Sequence, residues 1–398
     1  MSSPMQKLRR VMGNRRAKAL IADSHALHAA GRWEEGVAAC RRAVAMQPDR
    51  AWFRDELAQA LTRRHDYFFH PALAAELVQR GALAEAVEHW REAARLGGET
   101  SALQLGIGHA LTTLGDYAGA AQHLRRSTDL LVAERCPEHA AKHGEAGEPR
   151  GPDFVIIGAT KCGTTSLYEY LLRHPRVLPA AWKEIEYFRF PERGLDWYLA
   201  HFPRIPPGER FLSGEASTCY IGMPEVKHRL RAAFPSARLI ALLRDPVDKA
   251  ISHFHHDRKL GVESRSLEQA IGEELDMLEQ LRSPWADAGD YWRTQRGYVW
   301  LGLYAAFVDD WLTVYRPDDL LLIPSEDLYA KPAETVAAVH RHLGLEAFDS
   351  TDFPVHLKGT YERKPNDALR ERLARFFEPH TARLQELLGR DLPWRRPA

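Results

Sequence analysis

Residues 154–172 read FVIIGATKCGTTSLYEYLL. The first four residues are apolar and mostly β-branched, which is typical of a strand buried on both faces of a parallel sheet. Gly158 and Gly163 allow the tight turn that follows, and an amphipathic run begins at Thr165. We therefore predict a strand, a tight loop and a helix. The start of that helix would offer unpaired N–H groups and the positive end of its dipole, so the loop is a candidate anion site.

The position of the lysine separates this loop from the common nucleotide-binding loop. Lys161 lies inside the turn, whereas the Walker A order places the lysine directly after the second glycine. The order Gly-x-x-Lys-x-Gly-Thr-[Ser/Thr] resembles the 5′-phosphosulfate loop of the sulfotransferases that use 3′-phosphoadenosine 5′-phosphosulfate (PAPS). The alternative is a glycine turn between two core elements. The resemblance implies that PAPS is the co-substrate and that it contacts six residues of the loop. These are Lys161, Cys162, Gly163, Thr164, Thr165 and Ser166.

Composition limits the classes of protein to consider. The chain has 398 residues, 45% of them hydrophobic and 27% charged, which is ordinary for a soluble protein of two or three domains. The formal net charge is zero, so we expect no nucleic-acid partner and only a local anion site. Four scattered cysteines favour a reducing compartment. With no export signal and no apolar run long enough to cross a bilayer, we expect a cytoplasmic protein without the membrane anchor of animal Golgi sulfotransferases.

The N-terminal part is helical and repetitive. Segments 31–43, 81–93 and 115–127 each begin with a glycine, carry an aromatic residue or Leu two positions later, and continue with small and apolar residues at helical spacing. The last two glycines are 34 residues apart, the period of the tetratricopeptide repeat. We predict a tetratricopeptide-like domain over residues 18–133. Its use is open between a docking site for a protein partner and a packing extension.

Domain boundaries follow from composition. Residues 1–17 form a basic segment, and residues 134–152 have the Gly, Pro and charge content of a linker. The sulfotransferase domain is therefore predicted over residues 153–398. Cys136, His139 and His143 in the linker are three candidate ligands where a structural zinc takes four, and we expect no metal.

A second segment carries the candidate base. Apolar and polar residues alternate from Ile185, which predicts a short strand beside the loop. The run Lys183-Glu-Ile-Glu-Tyr-Phe188 resembles a segment of the heparan sulfate type sulfotransferases, and the resemblance implies that Glu184 takes the proton of the acceptor hydroxyl. The alternative for Glu184 is a surface carboxylate paired with Lys183. Glu186 is the second candidate base, and a histidine is a third. His253, His255 and His256 also suggest a metal or base, but we expect them to be helix and cleft-edge residues.

A third segment, Gly214-Glu-Ala-Ser-Thr-Cys-Tyr220, resembles the family's Gly-Glu-x-[Ser/Thr]-Pro-x-Tyr. Heparan sulfate members have a lysine after the Glu, and this chain has Ala216, which puts a polymeric substrate in doubt. Glu215, with the aromatic residues Trp197 and Tyr198, either lines the acceptor side of the cleft or only braces its wall.

The fourth segment matches the family's 3′-phosphate motif. Residues 238–254 read RLIALLRDPVDKAISHF, a buried strand, a turn set by proline and a helix. Arg244 and Ser252 occupy the defining positions of that motif, and the resemblance implies that both contact the 3′-phosphate. Arg363 and Lys364, in a basic stretch near the C-terminus, are further candidates for binding this phosphate. The alternative is that this stretch is only a solvated basic loop.

These segments together predict an α/β fold, a P-loop-like three-layer sandwich with a central parallel sheet, preceded by an all-α domain. The resemblance implies transfer of a sulfuryl group from PAPS to a hydroxyl acceptor, with a carbohydrate or glycolipid favoured by the Glu-type base. Lys161 would neutralise the leaving oxygen. Two alternatives are a P-loop kinase and a non-catalytic scaffold with a vestigial nucleotide site.

Overall fold

The computed structural model describes residues 4–62, 71–144, 146–259, 261, 263–280, 297–348, 353–354 and 367–394. The chain divides into two compact units. The helical unit comprises Met1–Pro149 and Glu192–Arg204, and the sheet unit comprises Arg150–Pro191 and Ile205–Ala398.

Helices make up most of the regular structure in these residues. In chain order they are α1 (Pro4–Ala29), α2 (Trp33–Met46), α3 (Ala51–Leu61), α4 (Pro71–Gln79), α5 (Ala82–Ala93), α6 (Ser101–Thr113), α7 (Tyr117–Arg135), α8 (Pro137–His143), α9 (Thr164–Leu171), α10 (Leu195–Leu199), α11 (Pro224–Ala233), α12 (Pro246–Lys259), α13 (Leu267–Leu278), α14 (Tyr304–Trp311), α15 (Ser325–Ala330), α16 (Pro332–His342) and α17 (Asp367–Leu388). The strands are β1 (Glu148–Pro149), β2 (Phe154–Gly158), β3 (Arg204–Ile205), β4 (Gly214–Glu215), β5 (Arg238–Leu243) and β6 (Leu320–Pro324).

The helical unit packs its helices through small residues. Gly31, Gly81 and Gly115 have φ values of 75°, 66° and 85° and form the turns before α2, α5 and α7. Ala43 and Ala120 are fully buried, which lets neighbouring helices approach closely. The predicted N-terminal helical region is confirmed, and its assignment to tetratricopeptide repeats stays a prediction.

Residues 192–204 leave the sheet unit and belong to the helical unit. The indole Nε1 of Trp197 on α10 donates a hydrogen bond of 2.7 Å to Thr112 Oγ1. The hydroxyl of Thr128 on α7 donates one of 2.8 Å to the carbonyl oxygen of Ala200. Because these groups are buried, their pairing avoids the penalty of unsatisfied polar atoms. The excursion is therefore an integral part of the helical unit.

The predicted linker 134–152 contains the end of α7, all of α8 and β1. The division between the two units falls at Pro149, and residues 192–204 also belong to the helical unit. The predicted boundaries at 17, 133 and 152 stay predictions.

The sheet unit is built on four parallel strands in the order β4-β2-β5-β6. In register, Val155 on β2 lies opposite Glu215 on β4 and Leu239 on β5. All five residues of β2 are buried, as the run of β-branched residues predicts. The predicted α/β class, with a parallel central sheet and flanking helices, is confirmed.

The short strand predicted from Ile185 is wrong. The described backbone of residues 183–188 forms no strand. Glu186 has a φ of 54°, outside the extended region. Its backbone N–H is bonded to a side chain, the hydroxyl of Ser217, instead of to a strand carbonyl. Alternation of polar and apolar residues over so few positions was therefore a poor guide to the local conformation.

Candidate active site

The candidate donor loop joins the end of β2 to the start of α9. Gly163 has a φ of 90°, a conformation that residues with a side chain rarely adopt. A Cβ atom there would also lie 2.7 Å from the hydroxyl oxygen of Tyr329. The Ser325 hydroxyl donates a hydrogen bond to the carbonyl oxygen of Cys162. Ser325 of α15 thus holds the loop by a hydrogen bond, and Tyr329 of the same helix lies close against Gly163.

Lys161 lies at the centre of this loop in a left-handed backbone conformation, with a φ of 67°. Such a conformation is uncommon for a residue with a side chain, and it recurs at functional sites. Burial lowers the pKa of the Lys161 ammonium, the negative charge of Glu184 opposes that shift, and Arg244 adds to it. The charges of the candidate base and of the candidate 3′-phosphate arginine therefore both affect the pKa of Lys161.

The other predicted loop residues differ in what their side chains contact. The Cys162 thiol is fully buried, 3.6 Å from the hydroxyl of Tyr304, and burial raises its pKa to about 11. Thr164 and Ser166 are buried, and Thr165 is partly exposed. The Cys162 side chain thus belongs to the core, and a donor contact at this residue would involve its backbone. The predicted donor contacts of these residues stay predictions.

The second predicted phosphate motif lies on the neighbouring strand. The backbone N–H of Ala159, just after β2, donates a hydrogen bond of 2.7 Å to the carbonyl oxygen of Leu242 near the end of β5. Arg244 follows directly after β5. Because parallel strands end at one edge of a sheet, Arg244 and the donor loop share that edge. Ser252 lies on the next helix, α12, and is almost fully buried.

Asp245 supports the turn between β5 and α12. Its carboxylate oxygen Oδ1 accepts a hydrogen bond of 2.9 Å from the backbone N–H of Val247, which satisfies a donor in the first turn of the helix. Its own backbone N–H donates to the carboxylate of Glu326 on α15 at 3.3 Å. The Arg-Asp-Pro sequence is therefore a structural corner as well as a candidate phosphate site.

The burial of Lys249, on the same helix α12 as Ser252, was not predicted from the sequence. It is fully buried, and its Nζ donates hydrogen bonds to the carbonyl oxygens of Gly297 and Tyr298 at 3.3 and 3.1 Å. Burial lowers its pKa to about 8. The only sequence signal was a lysine on the apolar stripe of an amphipathic helix, between Val247 and Ala250.

Glu184 lies in the irregular segment 183–188. Its Oε1 atom forms an ion pair with Lys183 Nζ, and the two side chains are 30% and 20% exposed. The alternative pairing of Glu184 with Lys183 is therefore present, but at a half-buried position instead of on the open surface. Glu184 also interacts electrostatically with Lys161 of the donor loop. The role of Glu184 as a base stays a prediction.

Glu186, the second candidate base, has both carboxylate oxygens engaged. Oε2 accepts a hydrogen bond of 3.2 Å from Arg189, and Oε1 accepts one of 3.4 Å from the Cys219 thiol. The side chain is 16% exposed. These contacts give Glu186 a bracing role in the geometry.

The histidines of α12 are not equivalent. His253 is almost fully buried, with Nδ1 3.5 Å from Lys249 Nζ and Nε2 3.9 Å from a carboxylate oxygen of Asp257. His255 is partly exposed and His256 is exposed. Both nitrogens of His253 therefore face buried polar groups.

Residues 215–220 brace the segment that carries Glu184. The N–H of Ala216 donates to the carbonyl oxygen of Lys183 at 2.6 Å, and the N–H of Phe188 donates to the Tyr220 hydroxyl at 3.1 Å. Glu215 is fully buried and accepts a hydrogen bond from Ser217. Among the two alternatives for Glu215, burial favours bracing. Trp197 and Tyr198 are fully buried in the helical unit.

Arg363 and Lys364, the further candidates for the 3′-phosphate, lie outside the described residues. Their predicted role stays a prediction.

A family model for the sulfotransferase domain matches residues 151–356, about half of the chain. The chain belongs to the sulfotransferase family. The predicted family is therefore confirmed, and the matched range contains the donor loop, the Glu184 segment and the Arg-Asp-Pro motif.

Three curated relatives show which sulfotransferases this chain is similar to. Human bifunctional heparan sulfate N-deacetylase/N-sulfotransferase 2 is 29% identical over 50% of this chain and 22% of its own length. Human heparan sulfate glucosamine 3-O-sulfotransferase 6 is 28% identical over 62% of this chain and 75% of its own length. The membrane-associated sulfotransferase kil1 of Dictyostelium discoideum is 26% identical over 61% of this chain and 66% of its own length. This sulfotransferase chain thus spans about a fifth of the length of the bifunctional relative.

A solved structure supports the fold assignment. The crystal structure of a sulfotransferase from Alicyclobacillus acidocaldarius is 30% identical, with a TM-score of 0.50, and covers 61% of this chain and 97% of its own. The sulfotransferase fold of the sheet unit is therefore confirmed.

The predicted cytoplasmic location of this sulfotransferase is wrong, since the Dictyostelium relative is described as membrane-associated. Within the part of the chain that the structure describes, no helix combines the length and the apolar character that crossing a bilayer requires.

Proposed function

We propose that this chain transfers a sulfuryl group from PAPS to a hydroxyl group of a carbohydrate acceptor. One observation carries the proposal. Lys161 and Arg244 follow two adjacent parallel strands at the same edge of the sheet, and the positive charge of Arg244 lowers the pKa of Lys161. One nucleotide with phosphates at both ends of its ribose would be held between these cations, as anions are bound at the carboxyl edge of open α/β sheets.

In the proposed step, the acceptor oxygen attacks the sulfur atom of PAPS. A new S–O bond forms to the acceptor while the bond between sulfur and the bridging phosphate oxygen breaks. The acceptor proton passes to the carboxylate of Glu184, and the electron pair of the broken bond stays on adenosine 3′,5′-bisphosphate. Lys161 neutralises the charge that develops on this leaving oxygen. Atoms and charges are thereby balanced without a further reactant.

The choice of Glu184 over Glu186 as base rests on hydrogen bonding. Glu186 accepts hydrogen bonds at both carboxylate oxygens, from Arg189 and Cys219. Among the residues that the structure describes, the ion pair of Glu184 uses Oε1 alone, and the charge of Glu184 raises the pKa of Lys161. A base must have an oxygen within hydrogen-bonding reach of the acceptor hydroxyl. The contacts of Glu184 fit that requirement better.

The carbohydrate acceptor is inferred from the relatives named for heparan sulfate. They act on different atoms of the sugar, as the terms N-sulfotransferase and 3-O-sulfotransferase state. A carboxylate base suits a hydroxyl, which must lose its proton as the new bond forms. We therefore propose O-sulfation.

The test uses the purified full chain with PAPS and heparan-type oligosaccharides that carry both free hydroxyl and free amino groups. We expect sulfated oligosaccharide and adenosine 3′,5′-bisphosphate in equal amounts, with mass spectrometry placing the sulfate on oxygen. Absence of calorimetric binding of adenosine 3′,5′-bisphosphate would overturn the donor assignment and favour a scaffold. Magnesium-dependent turnover of ATP would favour a kinase. Binding of the bisphosphate without transfer to any carbohydrate would overturn the acceptor class.

A further inference from the structure

Two consecutive residues, Ser217 and Thr218, contact two different parts of the candidate active site. Ser217 contacts the segment that carries Glu184, and Thr218 contacts the loop that carries Lys161. The sequence marked neither residue as a candidate, although Ser217 occupies the [Ser/Thr] position of the family segment Gly-Glu-x-[Ser/Thr]-Pro-x-Tyr.

The Ser217 hydroxyl fixes the backbone of residues 183–188, the segment that carries Glu184 and is called the base segment below. Its Oγ donates a hydrogen bond to Oε2 of Glu215, which is fully buried on β4. A hydroxyl has one proton, so the lone pairs of Oγ are left to accept, and Oγ accepts from the backbone N–H of Glu186 at 2.9 Å. This bond holds Glu186 at a φ of 54°, a conformation that surrounding contacts must enforce. The buried strand thereby orients the backbone two residues after Glu184.

The Thr218 hydroxyl reaches the donor loop. Its Oγ1 lies 3.1 Å from Oγ1 of Thr160, the residue directly before Lys161. The backbone of Thr218 also lies beside the end of β2, since a Cβ atom placed on Gly158 would lie 3.2 Å from the carbonyl oxygen of Thr218. The similar family segment has a proline at this position, which has no hydroxyl and could not form this hydrogen bond. The Thr160–Thr218 contact is therefore a feature of this chain's own sequence.

We propose that Ser217 and Thr218 are positioning residues that set the separation between Lys161 and Glu184. The inference rests on the proposed sulfuryl transfer. Adjacent residues are joined by a planar peptide and their Cα atoms are about 3.8 Å apart, so the two contacts form one rigid link between the donor loop and the base segment. Reaction rates depend steeply on such separations, because a misplacement of about 1 Å can reduce turnover roughly a hundredfold.

The hydrogen bond between Thr160 and Thr218 can be removed by a substitution that keeps the shape of the side chain. The bonds from Ala216 to Lys183 and from Phe188 to Tyr220 do not involve the Thr218 hydroxyl, so we expect the base segment to keep them when that hydroxyl is removed. Valine has nearly the shape of threonine, so Thr218→Val removes the hydroxyl and little else. Thr218→Ser restores it.

The decisive experiment compares Thr218→Val and Thr218→Ser with the wild-type chain. The matched control is Thr335→Val, which also removes a threonine hydroxyl. That hydroxyl donates a hydrogen bond of 3.1 Å to the carbonyl oxygen of Asp327 on α15. We expect kcat of Thr218→Val to fall about tenfold or more. The affinity for adenosine 3′,5′-bisphosphate should change less than about threefold, well under 1.4 kcal/mol. Thr218→Ser should recover wild-type kcat, and Thr335→Val should retain it.

Ser217→Ala and Ser217→Thr form the second pair. Removing the Ser217 hydroxyl leaves the buried Glu215 without that donor, so Ser217→Ala could fail to fold. Ser217→Thr keeps the hydroxyl and should recover kcat. If Ser217→Ala does not fold, the Thr218 pair alone decides.

Two outcomes would overturn the inference. Unchanged kcat in Thr218→Val, with an active wild-type chain, would exclude positioning through Thr218 while leaving the proposed function intact. A weakening of bisphosphate binding equal to the loss in kcat/KM would identify Thr218 as a donor-binding residue instead. An inactive wild-type chain is the failure of the proposed function itself, and it is recognised before any variant is compared.

Discussion

The backbone N–H of Ala159 donates a hydrogen bond of 2.7 Å to the carbonyl oxygen of Leu242. Each of these residues precedes a candidate cation by two positions, since Lys161 follows Ala159 and Arg244 follows Leu242. The bond therefore joins the two strand ends from which both cations project. A nucleotide bound across this edge would meet two cations whose backbones are already held in place. Its binding would therefore not include the free-energy cost of ordering those two loops.

Replacing Lys161 should remove catalysis. We expect Lys161→Met to lose about a hundredfold or more in kcat, because no cation would then neutralise the leaving oxygen. The matched control is Lys331→Met, which removes the same charge at a side chain that is 65% exposed. Steady-state assays of bisphosphate release measure both. Equal kcat in the two variants would contradict a catalytic role for Lys161.

Replacing Glu184 should separate binding from transfer. We expect Glu184→Gln to bind adenosine 3′,5′-bisphosphate normally and to lose about a hundredfold in kcat, since an amide cannot take the acceptor proton. Glu186→Gln retains a carbonyl oxygen that can accept from Arg189, so its loss should be smaller. Calorimetry and turnover assays on both variants test this. Near-normal turnover of Glu184→Gln would exclude it as the base.

Arg125 should stabilise the helical unit more than its neighbour does. Its guanidinium donates hydrogen bonds to the carbonyl oxygens of Leu199 and Phe202, at the end of the 192–204 excursion. Burial lowers the pKa of Arg125 to about 10. Arg125→Met leaves both carbonyls without these donors, so the free energy of unfolding should fall by roughly 1–3 kcal/mol.

The control for Arg125 is the adjacent residue. Arg126 pairs with Glu99 at the surface, with side chains 44% and 34% exposed. Arg126→Met should lower the free energy of unfolding by less than about 1 kcal/mol. Urea denaturation followed by circular dichroism measures both. A larger effect of Arg126→Met than of Arg125→Met would contradict the stabilising role of the excursion contacts.

Acid should destabilise the helical unit through His201. This histidine is fully buried, and burial lowers its pKa from 6.5 to about 3 against the opposing effect of the carbonyl oxygens of Trp197 and Tyr198. The nearby charges of Arg193 and Arg125 lower it further. Below pH 6.5 the unfolded chain therefore binds more protons than the folded chain, so stability falls as the pH falls from 6.5 toward 3.

The contribution of His201 can be isolated by a variant. Between pH 7.5 and pH 5, wild type should lose about 2 kcal/mol more unfolding free energy than His201→Phe, which cannot be protonated. Denaturation curves at both pH values measure the difference. Parallel losses in the two proteins would show that His201 does not titrate in this way.

Part of the site was predictable because some of its residues lie in short, continuous sequence patterns. The donor loop and the Arg-Asp-Pro corner each combine a buried strand, a turn and a helix start within about twenty residues, and such patterns are visible in sequence. The segment at 183–188 has no such pattern. Its conformation is set by Ser217 and Tyr220, about thirty residues away, so the alternation from Ile185 was misleading.

The sequence alone determined the parallel-sheet core around residues 154–158, the N-terminal helices and the family, because β-branched runs, helical periodicity and glycine turns act over a few residues. Only the tertiary structure decided that residues 192–204 join the helical unit, that Lys249 is buried and that Ser217 and Thr218 connect two segments of the site. These features depend on contacts between residues distant in the chain. Such contacts form only when the packed core brings their backbones together, and they leave no periodic trace in the order of the amino acids.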